Sequence, residues 1–395
     1  MNAQIKYVKS CSKNIAYRVS GQGSKSLILV NGWVTNLEEL HTLPGLESWL
    51  RDLQTFSRLT VFDKRGVGLS DRVNEQDLPG LSERLEDIRA IMNREQIPKA
   101  TLLGISEGGP IALAFAHKYP HLVESIIIIG SFARWIEDET YPHGISPELH
   151  AKTVKEIEDN WGKPIGYQLM APSLQNSEIF KKAWASFLRK SASPGTAKTF
   201  YHMNLNIDVR KLLPEINCPA LIMHRKGDRL IPFQLGRYMA NHLPQASYLP
   251  LDGEDHLPWV GDVKPITNAI AQFMGEHFMP HREVLEEGKL QPEDLETLHA
   301  LKTHLEANYF EHYSIEELCY QFNINAFKLK YGFKKLFGIP VMQFVREARL
   351  KHAKKLLEKS RLSVKEVAYK IGYRHPESFS KAFSRLYDQS PSEMR

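Results

Sequence analysis

Two spacings of apolar residues organise the chain. Residues 4–9 and 14–19 switch between apolar and polar at each step, the period of a half-buried strand, and predict a hairpin. Short apolar runs follow at Ser26–Val30, Leu59–Asp63, Thr101–Ile105, Ser125–Gly130, Ala220–His224 and Ser247–Leu251. Between most of them the spacing turns helical, as at Leu81–Asn93 and Pro110–Lys118. Strands that alternate with helices predict a mostly parallel, doubly wound α/β sheet with helices on its faces. One interval is too long for a simple crossover. Between Ser125–Gly130 and Ala220–His224 the chain reads mainly as helix and carries Trp135, Trp161, Met170, Phe180, Trp184, Phe187, Phe200 and Tyr201. The pattern predicts a helical cap over about 133–215, most of whose aromatic residues form its own core, with one or two left to line a ligand pocket.

A helix is expected near Lys264–Phe278, and then a polar stretch with Pro280, Gly288 and Pro292. Proline and glycine in polar surroundings mark a boundary. The expected division is 1–280, a linker over 281–294, and an all-α domain over 295–395. In the latter, Ser314-Ile315-Glu316-Glu317 reads as a capping box opening a short helix, Asn323-Ile324-Asn325 as a turn, and Ala326–Leu336 as a second helix ended by Gly338. A longer amphipathic helix, Val341–Lys359, follows. The unit then recurs, with Ser363-Val364-Lys365-Glu366 as a capping box, Ile371-Gly372-Tyr373 as the turn and Pro376–Tyr387 as the second candidate recognition helix. Two helix-turn-helix units on one connecting helix suit successive major-groove segments of one DNA face. Phe333, Leu336, Phe379, Phe383 and Leu386 are the expected core.

Charge separates the same two regions. Residues 321–395 hold 17 Lys and Arg against 6 Asp and Glu, a net of +11; the other 320 residues hold 34 against 40, a net of −6. The overall +5 therefore hides a basic module on a mildly acidic body. That asymmetry points to a polyanion partner, nucleic acid before a membrane, and the paired helix-turn-helix units make it double-stranded DNA. The 42% hydrophobic and 25% charged fractions exclude disordered, collagen-like and disulfide-scaffold classes. Ile126–Ile129, the longest aliphatic run, falls far short of the about 20 apolar residues of a bilayer span, and residues 1–10 carry no apolar signal region. Cys11, Cys218 and Cys319 lie far apart without metal-ligand spacing. The reading is a cytoplasmic protein with no metal and no cofactor.

Gly104-Ile105-Ser106-Glu107-Gly108 fits G-x-S-x-G. A strand runs into it and a small-residue helix out of it, the context that lifts a serine hydroxyl above a sheet on a sharp turn. A serine needs a base, and the base an orienting acid. His256 follows the last predicted strand and Asp228 follows the one before, giving the order Ser, Asp, His that this topology requires. Each of the latter two alone would read as a loop or turn residue; three correct positions together favour catalysis. Glu254 and Asp255 are too close in sequence to turn onto the imidazole. An oxyanion would sit on the backbone N–H groups of Glu107 and, after Asn31-Gly32, of Trp33.

With VNGW at 30–33, FDKRGVGLSD at 62–71, GISEGG at 104–109, GDRLIP at 227–232 and GEDHLPWVGD at 253–262, the first 280 residues or so resemble the α/β-hydrolase family. The resemblance implies a Ser106–Asp228–His256 triad and action on an ester, lactone or thioester; some members of that family are ligand receptors. One departure is Asn31, where the family usually has histidine, in the loop that shapes the oxyanion site. Residues 295–395 resemble the AraC/XylS-type DNA-binding domain, most specifically through VKEVAYKIGYRHPESFSKAFSRLYDQSPSEMR at 364–395 and REARLKHAKKLL at 346–357. Carried over by position, base reading falls on Phe327, Lys330 and Tyr331, then on Glu377, Ser378 and Lys381. Lys330 and Lys381 are suited to guanine and Glu377 to cytosine N4, while Lys328, Lys335 and Lys354 suit phosphate.

The expectation is a sequence-specific DNA-binding transcription regulator whose hydrolase-fold domain binds a small ester-, lactone- or thioester-like ligand. Two alternatives stand beside it: an active serine esterase with an attached DNA-binding module, and a catalytically slow hydrolase-fold receptor. A homodimer is compatible with this reading, although no dimerising motif is visible. Ligand identity, operator sequence and the sign of regulation are not encoded in any recognisable motif.

Overall fold

The computed structural model describes residues 4–73, 79–277, 292–322, 324, 326, 328–360 and 362–394. The chain forms two compact units, Met1–Glu283 and Val284–Arg395.

The first unit is built on an eight-stranded sheet. Its strands are β1 (Lys6–Ser10), β2 (Lys13–Ser20), β3 (Lys25–Val30), β4 (Ser57–Phe62), β5 (Ala100–Ile105), β6 (Val123–Ile129), β7 (Ala220–Arg225) and β8 (Ala246–Leu251). They lie in the order β1-β2-β4-β3-β5-β6-β7-β8. The β1–β2 and β2–β4 pairs are antiparallel; all others are parallel. Each short apolar run of the sequence is one of these strands. Their alternate residues serve two cores. Leu29, Leu103, Ile105, Ile127, Ile129 and Met223 point to one face, with helices α1 (Leu46–Gln54) and α9 (Lys264–Phe273). Ile28, Val30, Leu102, Ile126, Ile128 and Ile222 point to the other, with α2 (Leu81–Arg94) and α3 (Gly108–Lys118). Helix α9 is shorter than the expected Lys264–Phe278, because Gly275 turns left-handed (φ 71°) one residue after Met274.

The chain reverses its direction of growth at β3, which has β4 on one side and β5 on the other. In open α/β sheets the crevice at the carboxyl ends of such strands is where ligands bind. The long β6–β7 interval covers that edge with α4 (Pro147–Asn160), α5 (Tyr167–Met170), α6 (Glu178–Ser191) and α7 (Pro194–Met203). Ser146, Ser177 and Ser193 cap α4, α6 and α7 through their side chains. Trp135, Phe180, Trp184, Phe187, Phe200 and Tyr201 are buried, not in a core of the cap's own as the sequence suggests but in one apolar cluster shared with the sheet face; Trp161 and Met170 are only partly buried. The cap is fastened to the strand-end loops by Asn36 Nδ2 to Lys190 O (2.8 Å), Gly68 N to Ser191 O (2.8 Å) and Trp33 Nε1 to Ala197 O (3.0 Å).

The second unit is helical: α10 (Pro292–Ala307), α11 (Ile315–Gln321), a π-helical turn over Lys328–Gly332 running into α12 (Phe333–Phe337), α13 (Val341–Lys359), α14 (Val364–Lys370) and α15 (Pro376–Tyr387). Helix α10 opens three residues inside the expected linker, with Pro292 at its first position, where a missing N–H costs nothing. The rest of that linker, 281–291, lies outside the described residues. There are two small cores, one per helix-turn-helix. Val341 and Val345 from the start of α13 join Leu298, Leu301, Leu318, Leu329 and Phe333. Leu350, Ala353 and Leu357 from its later turns join Val367, Ile371, Phe379 and Phe383. Leu386, expected in the core, is 42% exposed: it shares the stripe of Phe379 and Phe383 but lies in the last turn of α15, where Tyr387 packs against Phe383 instead. Leu336 is partly buried.

Candidate functional site

The nucleophile turn follows from backbone crowding. Ser106 has φ 54°, a conformation that costs a non-glycine residue roughly 1–3 kcal/mol and persists only where neighbours enforce it. They do so here: Ser106 N–H donates to Ile129 O (3.1 Å), and its carbonyl accepts from Gly109 N–H (3.0 Å) and Ser131 Oγ (2.6 Å). A side chain at 108 would overlap the Val30 carbonyl, so this motif glycine is fixed by close approach to β3. Gly32 lies on the other side, where an added Cβ would be 3.0 Å from Ser106 Cβ. The backbone N–H groups of Trp33 and Glu107 make no internal hydrogen bond among the described residues. Two unspent donors therefore flank the Ser106 loop.

Asp228 leaves the turn after β7 and His256 the loop after β8. The acid is held by Leu230 N–H (2.9 Å) and Ile231 N–H (3.0 Å) on Oδ1. Its Oδ2 lies 2.8 Å from His256 Nδ1. Burial alone would raise the Asp228 carboxyl, but the imidazoles of His256 and His224 outweigh it and hold the group well below the usual carboxylate range. A carboxylate only accepts, so Nδ1 donates to it and Nε2 is left on the far side of the ring. That Nε2 is buried and has no hydrogen-bond partner among the described residues, Ser106 Oγ included. Gly130, at the end of β6, stands between: a Cβ there would lie 3.2 Å from Asp228 Oδ2 and 3.3 Å from the His256 ring. Ser106 thus follows the carboxyl end of β5, while Asp228 and His256, hydrogen-bonded to each other, follow those of β7 and β8.

Several groups here had no motif to announce them. His224 is fully buried, its Nε2 2.9 Å from Ile231 O and 3.4 Å from Asp228 Oδ2, a second imidazole on the same acid. The Glu107 side chain, next to the nucleophile, is buried with Lys64 Nζ at 3.1 Å and Arg84 NH1 at 2.6 Å. Burial, only partly offset by Glu107, brings the Lys64 ammonium down to about 8. Arg84 also lies over the ring of Phe200 in the cap, 5.4 Å from its centroid. In the sequence Lys64 stands inside FDKRG and Glu107 inside GISEGG, but nothing there joins them to each other or to Arg84. Among the described residues no three His, Cys, Asp or Glu side chains converge as metal ligands.

In the second unit both capping boxes form: Glu317 N–H donates to Ser314 Oγ (3.1 Å) and Glu366 N–H to Ser363 Oγ (3.2 Å), each returned by the glutamate. Gly372 turns at φ 84°, and a side chain there would overlap the Phe310 carbonyl. Glu377, Ser378 and Lys381 are exposed on one side of α15, opposite buried Phe379 and Phe383. Lys330 and Tyr331 are exposed on the π-helical turn, with Lys335 over the Tyr331 ring. Phe327 lies outside the described residues. Lys328, expected to meet phosphate, is ion-paired with Asp294 (2.9 Å).

A family model described as the alpha/beta hydrolase fold matches residues 25–262, more than half of the chain. The chain belongs to the alpha/beta hydrolase fold family. A second model, a helix-turn-helix domain, matches residues 318–395, so this hydrolase-fold chain also carries an AraC-type DNA-binding domain. Its hydrolase-fold part is similar to the pimeloyl-[acyl-carrier protein] methyl ester esterases of Vibrio atlanticus (23% identity, 66% of this chain, 98% of that one) and Shewanella woodyi (28%, 61% and 90%). Among solved structures, the esterase EaEST from Exiguobacterium antarcticum matches with a TM-score of 0.59 at 19% identity, over 69% of this chain and all of that one. No helix of the described residues is long and apolar enough to cross a membrane.

Proposed function

We propose that this hydrolase-fold protein is a cytoplasmic, sequence-specific DNA-binding transcription regulator whose first unit receives and turns over a small carboxylic ester, lactone or thioester. The observation that carries the sensor half is His256 Nε2, a buried base nitrogen with no partner while Nδ1 is locked on Asp228. An unsatisfied buried acceptor costs about 1–3 kcal/mol and calls for a role. The ester class is supported by the relatives named as methyl ester esterases.

In this reading His256 Nε2 takes the Ser106 proton as Oγ attacks the ligand carbonyl. The oxyanion forms against the N–H groups of Trp33 and Glu107, and Asp228 stabilises the imidazolium. The alcohol or thiol leaves with the proton from Nε2, and water then releases the acid by the reverse sequence. Ser106→Ala is expected to reduce hydrolysis of a short-chain chromogenic ester to background, and Asp228→Asn to lower kcat by up to about 10⁴-fold. Equal rates in wild type and Ser106→Ala contradict this assignment. Ligand binding without turnover in the wild type selects the slow-receptor reading instead.

The regulator half rests on the fusion of the two families in one chain. Selection from a random DNA pool should enrich one motif, with affinity falling steeply as salt rises, because bound phosphates release counterions. A footprint indifferent to sequence removes the regulator reading and leaves the esterase.

A further inference from the structure

The loop that carries His256 has no regular secondary structure, yet it must hold an imidazole against Asp228. Its main chain is fastened from two sides. Its N–H groups face the cap: His256 and Leu257 both donate to Met170 O (2.9 and 3.1 Å), and Asp255 Oδ1 accepts from Ser173 N–H (2.9 Å). Its carbonyls face Arg225, the last residue of β7. Arg225 NH1 donates to Asp255 O (2.8 Å) and Leu257 O (3.0 Å), and NH2 to Val260 O (2.6 Å) and Asp262 O (3.3 Å). All four terminal guanidinium hydrogens thus go to carbonyls of one eight-residue segment. The side chain is 95% buried and, among the described residues, has no carboxylate within ion-pair distance.

A buried cation without a salt-bridge partner is costly, and burial does lower the affinity of Arg225 for its proton. The fork is therefore a poor choice for stability alone. What it does supply is geometry. A planar guanidinium offers donors in fixed directions, which an ammonium on a flexible stem cannot match. Arg225 also stands three residues before Asp228, on the same strand end. One side chain therefore references the histidine loop to the strand that presents the acid.

We propose that Arg225 is the positioning residue of the triad, setting the His256 imidazole against Asp228 by clamping the carbonyls of residues 255–262. The inference rests on the hydrolase reading of the site. Arg225 touches no reacting atom, so its loss alters the speed of serine activation and leaves ligand binding nearly unchanged.

The test uses the full chain with Arg225→Lys and Arg225→Met, a reactive alkyl fluorophosphonate as serine probe, and the downfield proton NMR signal of the His256 Nδ1–H. The maximal rate of Ser106 labelling should fall about 10²-fold in Arg225→Met, the cost of a misplacement near 1 Å, with the probe's half-saturating concentration within a factor of two of wild type. Arg225→Lys should fall between them. The downfield signal should shift or broaden in the same order. A merely structural role would lower melting temperature without separating rate from binding and without moving that proton. Wild-type labelling rates and an unmoved Nδ1–H signal in both variants overturn the proposal. If Arg225→Met does not fold, Arg225→Lys decides by the same two readouts. A wild type that does not label at all defeats the hydrolase reading, and the NMR signal then still judges the clamp.

Discussion

His150, in the cap, shows what a single buried group does to the energetics of this fold. Its ring stacks on Tyr201 (4.8 Å), its Nδ1 accepts from Trp135 Nε1 (3.3 Å) and its Nε2 lies 3.3 Å from His202 Nδ1. Burial, with His202 beside it, brings His150 down to about 4. The unfolded chain therefore binds more protons than the folded one between about 4 and 6.5, and stability falls as pH drops through that window. The expected slope is roughly 0.5–1 kcal/mol per pH unit, short of a full proton because His202 is exposed to solvent. Thermal melts at pH 7 and pH 5 should show wild type losing more stability than His150→Asn; equal losses contradict it. The same scale separates what a sequence carries from what it hides. Ser106, Asp228 and His256 can be nominated from the sequence because their chemistry demands a fixed order and turn residues at fixed offsets. Arg225, His224 and the Lys64–Arg84–Glu107 cluster cannot, because each depends on burial created by distant segments, which no local spacing encodes.

Elements were easier to read. Strands β3–β7 show as short apolar runs because they are buried on both faces, which leaves no competing pattern, whereas the edge strand β8 is only partly buried. Helix α1 was missed, since Leu46, Trp49, Leu50 and Leu53 give only one amphipathic stretch of nine residues. The first recognition element departs most from expectation. The spacing predicts a regular helix through Tyr331 and Gly332, and the backbone instead makes a π-helical turn over Lys328–Gly332. Such turns concentrate at functional sites. Two predictions belong here. Ser363→Ala removes one half of a formed capping box and should cost about 1 kcal/mol, read by denaturant melts of the full chain. Lys381→Ala, on the exposed side of α15, should relax base preference at one operator position by about 1–3 kcal/mol, read by binding to single-base operator variants, whereas Lys335→Ala should weaken all sequences alike. Uniform weakening by both variants would show that Lys381 meets phosphate.

At the scale of the whole molecule, charge and family agree. The net +11 of residues 321–395 lies in the stretch matched by the helix-turn-helix model, and the net −6 of the rest contains the hydrolase fold. A regulator of this kind requires that an occupant of the hydrolase unit favour one DNA-binding state over another by its differential affinity for the two. The direct measurement is the Kd of the full chain for a DNA fragment selected from a random pool, before and after Ser106 carries a covalent alkyl phosphonate. The account predicts a change of about 5- to 150-fold, the range of ordinary coupling energies, and none in Ser106→Ala treated identically. Equal Kd values for the free and fully loaded wild-type protein would contradict it.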